Sequence, residues 1–248
     1  HRRGQAALRK QLVRLLRAPS WRGGQRDGVE LDLDAVVARR AALAAGHTGT
    51  DRLYVARPRP PAPLAVAVLV DRSLSSDAWV AGRRVLDLAL GALVSLGDAL
   101  AELPAPTAVL GFSSHTHLDC RIDAIKDFAE PWPRAYARLA ALEPAGYTRI
   151  GAAIRHATAV LRAAPARRRR LILISDARPT DYDRYEGRYG IDDVRCAVLE
   201  ARRFDVGSHC VALDPRTTAH LRQMFGPGGF TLASRPDALA IAVSRLYV

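Results

Sequence analysis

Leu64-Ala65-Val66-Ala67-Val68-Leu69-Val70-Asp71-Arg72-Ser73-Leu74-Ser75 is the stretch that decides the fold. Seven uninterrupted apolar residues are too few for a helix of useful length, and they do not alternate with polar ones. That pattern marks a strand buried on both faces, as in the parallel sheets of α/β proteins. The run breaks on a carboxylate followed by hydroxyls at alternate positions, Asp71, Ser73 and Ser75. This is where the chain leaves the sheet, and all three oxygens can face one point.

Outward from this strand the chain alternates short apolar runs with longer helical ones, the order expected of a mostly parallel sheet with helices on both faces. A helix is expected over about Ala78–Leu103, with Val85, Leu86, Leu88, Leu93, Leu96 and Leu100 at helical spacing. Thr107–Phe112 and His117–Ile122 read as strands joined closely enough for a hairpin, so one of them runs antiparallel. Helices follow at Trp132–Leu142 and Ile150–Leu161, a strand at Leu171–Ser175, a helix at Ile191–Phe204 and a strand at Val206–Leu213. Thr217–Phe225 is helical, Phe230–Ala233 is a short edge strand, and Pro236–Tyr247 closes the chain as a helix. The expectation is a doubly wound, Rossmann-like α/β domain with a six-stranded sheet and one antiparallel strand over residues 61–248. Residues 1–60 form a helical extension with helices at Gln5–Arg17 and Leu31–Ala45 and a glycine turn at Gly23 and Gly24. Proline-rich Arg57–Pro63 is the boundary, because proline removes backbone donors.

Composition narrows the function. The 248 residues are 49% hydrophobic, enough for one large core, and the first is His1, so the chain reads as a piece of something longer. No apolar run approaches the roughly 20 residues that cross a bilayer. Three scattered cysteines, Cys120, Cys196 and Cys210, without Cys-x-x-Cys spacing, argue against a disulfide framework or a thiolate zinc site and fit a reducing cytoplasm. The net charge is +12, nearly all arginine, with Lys10 and Lys126 the only lysines. Only Arg167–Arg170 form a run, and it lacks interleaved aromatics, so it reads as a solvated helix end rather than a nucleic-acid site. Neither lysine stands in a Gly-Lys-Ser/Thr loop, so the chain is not expected to hydrolyse ATP. A serine hydrolase is disfavoured too: no Gly-x-Ser-x-Gly is present, and His115 or His156 would be only loosely placed bases.

Two further segments carry oxygens to the same sheet end. Tyr147-Thr148-Arg149-Ile150 puts a hydroxyl just before a helix, and Ser175-Asp176 puts a carboxylate at the end of a buried strand. In open α/β sheets ligands gather there, at the switch in strand order. Taken singly, such residues commonly cap helices or make turns; three in this order are more specific. Two carboxylates with three hydroxyls make an all-oxygen shell suited to a hard dication, Mg²⁺ or else Mn²⁺ or Ca²⁺, and unsuited to zinc or copper. His115-x-His117, with Asp119 as third ligand, could hold a transition metal, but a polar hairpin tip is the preferred reading.

The Asp-x-Ser-x-Ser, Thr and Asp set, namely Asp71, Ser73, Ser75, Thr148 and Asp176, resembles the metal-ion-dependent adhesion site of von Willebrand factor A domains. That family leaves one metal position for a carboxylate of the partner. Leu31–Val37, Ser73–Trp79, Ile125–Phe128, Tyr147–His156 and Tyr185–Ile191 further resemble the C-terminal region of NorD and CbbO proteins. The resemblance implies a non-enzymatic adaptor for a MoxR-type AAA+ ATPase, NorQ-like or CbbQ-like. Its client would be an enzyme such as nitric oxide reductase or Rubisco. Arg72 and Ala177 depart from the pattern, standing where an apolar residue and a glycine are expected. Tyr147, Arg149, Tyr182, Tyr185 and Arg188 are expected to line a partner-contact surface beside the metal, since recognition residues gather on loops at the site end of a sheet. The alternative is a scaffold whose contacts need no metal.

Overall fold

A computed structural model describes residues 22–56, 63–77, 79–80, 83–101 and 105–232. The helices expected at Gln5–Arg17 and Pro236–Tyr247, and most of the proline-rich boundary, lie outside the described residues. Those described form two compact units, residues 22–56 and residues 63–232.

The first unit holds β1 (Arg22–Gln25), β2 (Glu30–Leu31), α1 (Leu33–Ala44) and β3 (Tyr54–Ala56), with the strands in the order β1-β3-β2, all antiparallel. The helix matches expectation within two residues; Asp32 caps it by accepting from Ala35 N at 3.2 Å. None of its residues is buried. The three strands are a correction, since segments of two to four residues show no alternation. Gly23 and Gly24, expected to turn, sit inside β1, where Gly24 takes φ +68° at an irregularity in the β1–β3 register.

The second unit begins with β4 (Leu64–Asp71), every residue of it buried. A 3₁₀ turn at Leu74–Asp77 and a small antiparallel pair, β5 (Trp79–Val80) with β6 (Arg83–Arg84), precede α2 (Val85–Ala101). The helix therefore starts seven residues later than expected, because this hairpin takes its first two turns. There follow β7 (Thr107–Ser114), β8 (Cys120–Lys126), α3 (Trp132–Ala140), α4 (Ile150–Ala163), β9 (Arg168–Ser175), α5 (Gly187–Arg203), β10 (Val206–Ala212), α6 (Thr218–Phe225) and β11 (Phe230–Leu232). The six-stranded sheet runs β11-β10-β9-β4-β7-β8, and only β8 is antiparallel. Strand order thus reverses between β4 and β9, the first and fourth strands of this sheet, and the crevice at their carboxyl ends is where Asp71 and Ser175 stand.

Alternate residues of the central strands serve opposite faces. Ala65, Ala67, Leu69, Leu171 and Leu173 pack with Ile150, Ile154 and Leu161 of α4 and Val194 and Val198 of α5; Val66, Val68, Val70, Ile172 and Ile174 are buried on the other face. Each fully buried Val, Leu or Ile contributes roughly 1.5–3 kcal/mol, so the sheet centre is the most resistant part of the unit. The arginine run corrects the sequence reading. Arg168–Arg170 are the first residues of β9, not a helix end. Arg169 nevertheless reaches back to α4, its Nε donating to Leu161 O at 2.9 Å, the cation-on-carbonyl arrangement that favours helix ends.

Candidate metal centre

Beyond Asp71 the chain tightens at once. Ser76 N and Ser76 Oγ both donate to Ser73 O, at 2.8 and 2.6 Å, folding the Ser73–Ser76 loop back over the strand end. Asp71 Oδ1 accepts from Ser73 N at 2.9 Å, and Oδ2 accepts from Ser175 Oγ at 2.5 Å, across the strand-order switch. Ser73 Oγ and Ser75 Oγ lie 2.8 Å apart, and the Ser75 hydroxyl is near enough to the Asp176 carboxylate to favour its ionised form. Asp71, Ser73, Ser75 and Asp176 thus form one continuous polar cluster. Ser175 belongs to it although the sequence reading passed over it; its place one residue before Asp176 at a strand end was the available signal. Its Oγ also accepts from Ala177 N at 2.9 Å.

The remaining candidate, Thr148, is buried on the same rim and held there by backbone. Ala145 N donates to Arg72 O at 2.6 Å and Leu74 N to Gly146 O at 3.0 Å. Tyr147 exchanges bonds with Ser114, and Thr148 with Thr180, so the loop is stitched to the end of β7 on one side and to the loop after Asp176 on the other. Gly146 is required here: its φ is +63°, and a Cβ would stand 2.4 Å from Ser114 O. The two departures from the family pattern also resolve. Ala177 has φ +59°, the left-handed region where glycine is cheapest. Arg72 lies against Gly111, donates to Glu143 O at 3.3 Å and pairs with Asp123 of β8, which lets a cation replace an apolar residue.

Two carboxylates share this buried cluster, and among the described residues Asp71 accepts hydrogen bonds from hydroxyls and an amide, not from cations. Burial first, and repulsion from Asp176 second, push the Asp71 carboxyl up to about 6 against the pull of its hydrogen bonds from Ser175 and Ser73. Burial raises Asp176 as well, while Ser75 and Arg178 restrain it. Cys210, buried beneath on β10, is pushed up by burial and then by both carboxylates. A dication would reverse these penalties, and the all-oxygen donor set suits a hard one. Because a proton and a cation compete for Asp71, Mg²⁺ affinity is expected to fall as pH drops through about 6, by about tenfold per pH unit below it if one proton is displaced. Calorimetric titrations between pH 5 and 7.5 measure this; a flat profile contradicts it.

No family model matches the chain. Protein NorD of Brucella suis biovar 1 (strain 1330) is 45% identical over 225 residues, 90% of this chain and 35% of that protein. The chain therefore spans about a third of the length of the curated relatives it matches. Among solved structures, von Willebrand factor type A from Catenulispora acidiphila matches with a TM-score of 0.53 at 17% identity, over 78% of this chain and 43% of that one. An aerotolerance-related membrane protein from Bacteroides fragilis matches with a TM-score of 0.58 at 14% identity, over 74% of this chain and 98% of that one. The fold is that of a von Willebrand factor A domain. The chain is a homologue of one region of NorD.

Around the rim of this von Willebrand A domain the expected contact residues divide. Tyr182 is exposed and stacks on His115 at 5.6 Å, with the half-buried Tyr147 6.0 Å from His115; these three make an accessible aromatic shelf. Arg188 is also exposed, but on the first turn of α5, which starts four residues before its expected position. Tyr185 is a correction, being fully buried and unable to meet a partner. Its hydroxyl donates to Asp193 Oδ2 at 2.5 Å and accepts from Gly151 N at 3.2 Å, locking α5 onto α4. Arg149 is likewise enclosed: it pairs with Asp181 at 3.0 Å and with Asp183, and lies 4.2 Å over the Tyr185 ring. Its role is to hold the loop, and Asp181 and Asp183 are the partners that sequence reading missed, since spacing alone does not pair residues over 30 positions apart.

The histidines take separate partners: His117 Nδ1 lies 2.7 Å from Asp183 Oδ2, while the His115 ring lies on Tyr182. The hairpin strand also begins at Cys120, so His117 is in the turn and not in the strand. Gly151 lets α4 and α5 approach closely: a Cβ there would come within 1.9 Å of Asp193 Oδ2. Gly151→Ala is expected to cost about 1–3 kcal/mol, read as a lower urea midpoint with unchanged slope. Among the described residues no helix is long and apolar enough to cross a membrane.

Proposed function

We propose that this domain is a non-catalytic adaptor that grips a partner protein through a divalent cation. Asp71, Ser73, Ser75, Thr148 and Asp176 would hold Mg²⁺, or Mn²⁺ or Ca²⁺ in its place, directly or through water. An Asp or Glu of the partner would complete the shell. The observation that carries the reading is the meeting of two buried carboxylates and two serine hydroxyls at the strand-order switch, where the hydrogen-bond donors to Asp71 among the described residues are all uncharged. The ion would supply a Lewis-acidic attachment point for an acid group. This chain's own residues hold the ligands in place: Ser175 and Ser73 orient Asp71, and the Thr148–Thr180 bridge joins the loops on either side.

Resemblance to NorD and CbbO suggests the wider setting. A MoxR-type AAA+ ATPase, NorQ-like or CbbQ-like, would provide force in the cytoplasm, and this domain would select the client. Nitric oxide reductase and Rubisco are the two clients the resemblance offers. The experiment is a binding assay of the full-length protein with ATPase and client, in Mg²⁺ and in chelator. Engagement that disappears with the metal supports the reading. A metal-independent scaffold is the second reading, favoured by the hydrogen bonds that Asp71 accepts from Ser175 Oγ and Ser73 N, which already join the loops without an ion. Engagement undiminished by chelation would select it.

A further inference from the structure

Away from the rim, two cavities of about 590 and 370 Å³ meet along α5 and α6, sharing Arg195 and Gln223. They make one groove running from Gly187 to Gly226. Its floor is apolar, with Val198, Met224 and Phe225 buried and Leu199 45% exposed at the edge. Its walls are cationic. Arg188, Arg195 and Arg202 recur every seven residues, so they line one face of α5 over about 21 Å. Arg222 of α6 stands on the other side.

The acids of α5 are mostly turned elsewhere. Asp193 and Glu200 pair with Arg155 of α4, and Asp192 alone lines the groove, 3.4 Å from Arg188. Arg195 and Arg222 form no ion pair with any described residue. Guanidinium groups with no ion pair among the described residues, above an apolar floor, are complementary to a ligand that is both acidic and greasy. A nucleic-acid backbone would neutralise the arginines and leave the floor wet. An amphipathic helix with an acidic flank would satisfy both, its acids meeting the arginine ladder and its apolar side the floor.

We propose that the α5–α6 groove docks an acidic amphipathic helix of a protein partner, with its Asp or Glu residues against Arg195, Arg202 and Arg222 and its apolar side chains on Val198, Leu199 and Phe225. The site is independent of the cation.

A photo-crosslinking residue at Leu199 of the full-length protein in its native host tests this, with the same residue at Arg134 on α3 as control. The expected adduct is a protein segment with a clear excess of Asp and Glu on one flank of an apolar helix. Joint Arg195→Glu and Arg222→Glu substitution is expected to cut its yield about tenfold without changing the melting curve. Arg195→Gln should give a smaller loss. Charge reversal of the partner's acids should restore the yield with the double variant. No adduct above control, an adduct to nucleic acid or to the chain's own flanking segments, a segment lacking acids, or a yield indifferent to charge reversal would each overturn the proposal.

Discussion

Asp71→Asn is expected to abolish the rise in melting temperature that Mg²⁺ produces, while leaving the metal-free domain at least as stable as before. In the wild type, a cation at a hundredfold excess over its Kd stabilises by about 2.7 kcal/mol, which for a domain of this size is roughly 5–10 °C. Asparagine keeps an acceptor for Ser73 N but lacks the charge that attracts the ion. The metal-free result follows from the direction of the Asp71 shift. Its carboxyl titrates near 6 when folded, above its ordinary 3.8, so the folded state loses stability as pH rises from about 4 to about 6. A neutral side chain escapes that loss, and the gain should be visible above pH 6. Differential scanning calorimetry with and without Mg²⁺ measures both effects. If wild type shows no rise with Mg²⁺, Mn²⁺ or Ca²⁺, the domain has no such site; an equal rise in the variant places the cation elsewhere.

The second large effect concerns Arg149. Arg149→Ala is expected to destabilise the domain by about 3–5 kcal/mol, because it strands the buried Asp181 carboxylate instead of removing a pair, and leaves Asp183 with only His117 beside its amide donor. Asp181 has no side-chain exposure and Asp183 only 25%, and their amide donors at Thr116, His117 and Tyr182 cannot replace a cation. The Tyr185 ring also loses its guanidinium cover. Melting should fall by about 10 °C, with proteolytic nicking concentrated in the Asp181–Glu186 loop. Arg149→Lys should recover only part, since an ammonium cannot reach both carboxylates while lying flat on the ring. A fall under 2 °C would show that the pair is not structural.

What could be read from residues alone follows from how local each signal is. Leu64–Val70 announced a buried parallel strand because its pattern needs no distant partner. The antiparallel hairpin then followed from a short connection, and the sheet places Asp71, Ser73, Ser75 and Asp176 at the end where strand order reverses. Boundaries slipped where tertiary pairing overrode propensity: Trp79–Val80 joined a hairpin instead of starting α2, and Arg168–Arg170 were drawn into β9 by pairing with β4 and β10. Tyr185 misled for a different reason. An aromatic residue among charged loop neighbours looks like a contact residue until Arg149 and Asp193 close over it, and neither is near it in the chain.

Cys210 turns its position into a built-in reporter. Of the three thiols, Cys120 and Cys196 are exposed, whereas Cys210 sits enclosed under two negative charges that also keep it protonated. An alkylating reagent therefore titrates two groups at once and reaches the third only when the sheet end opens. The lag before that third modification is a stopwatch for how often this end of the sheet comes apart, with no probe added to the molecule.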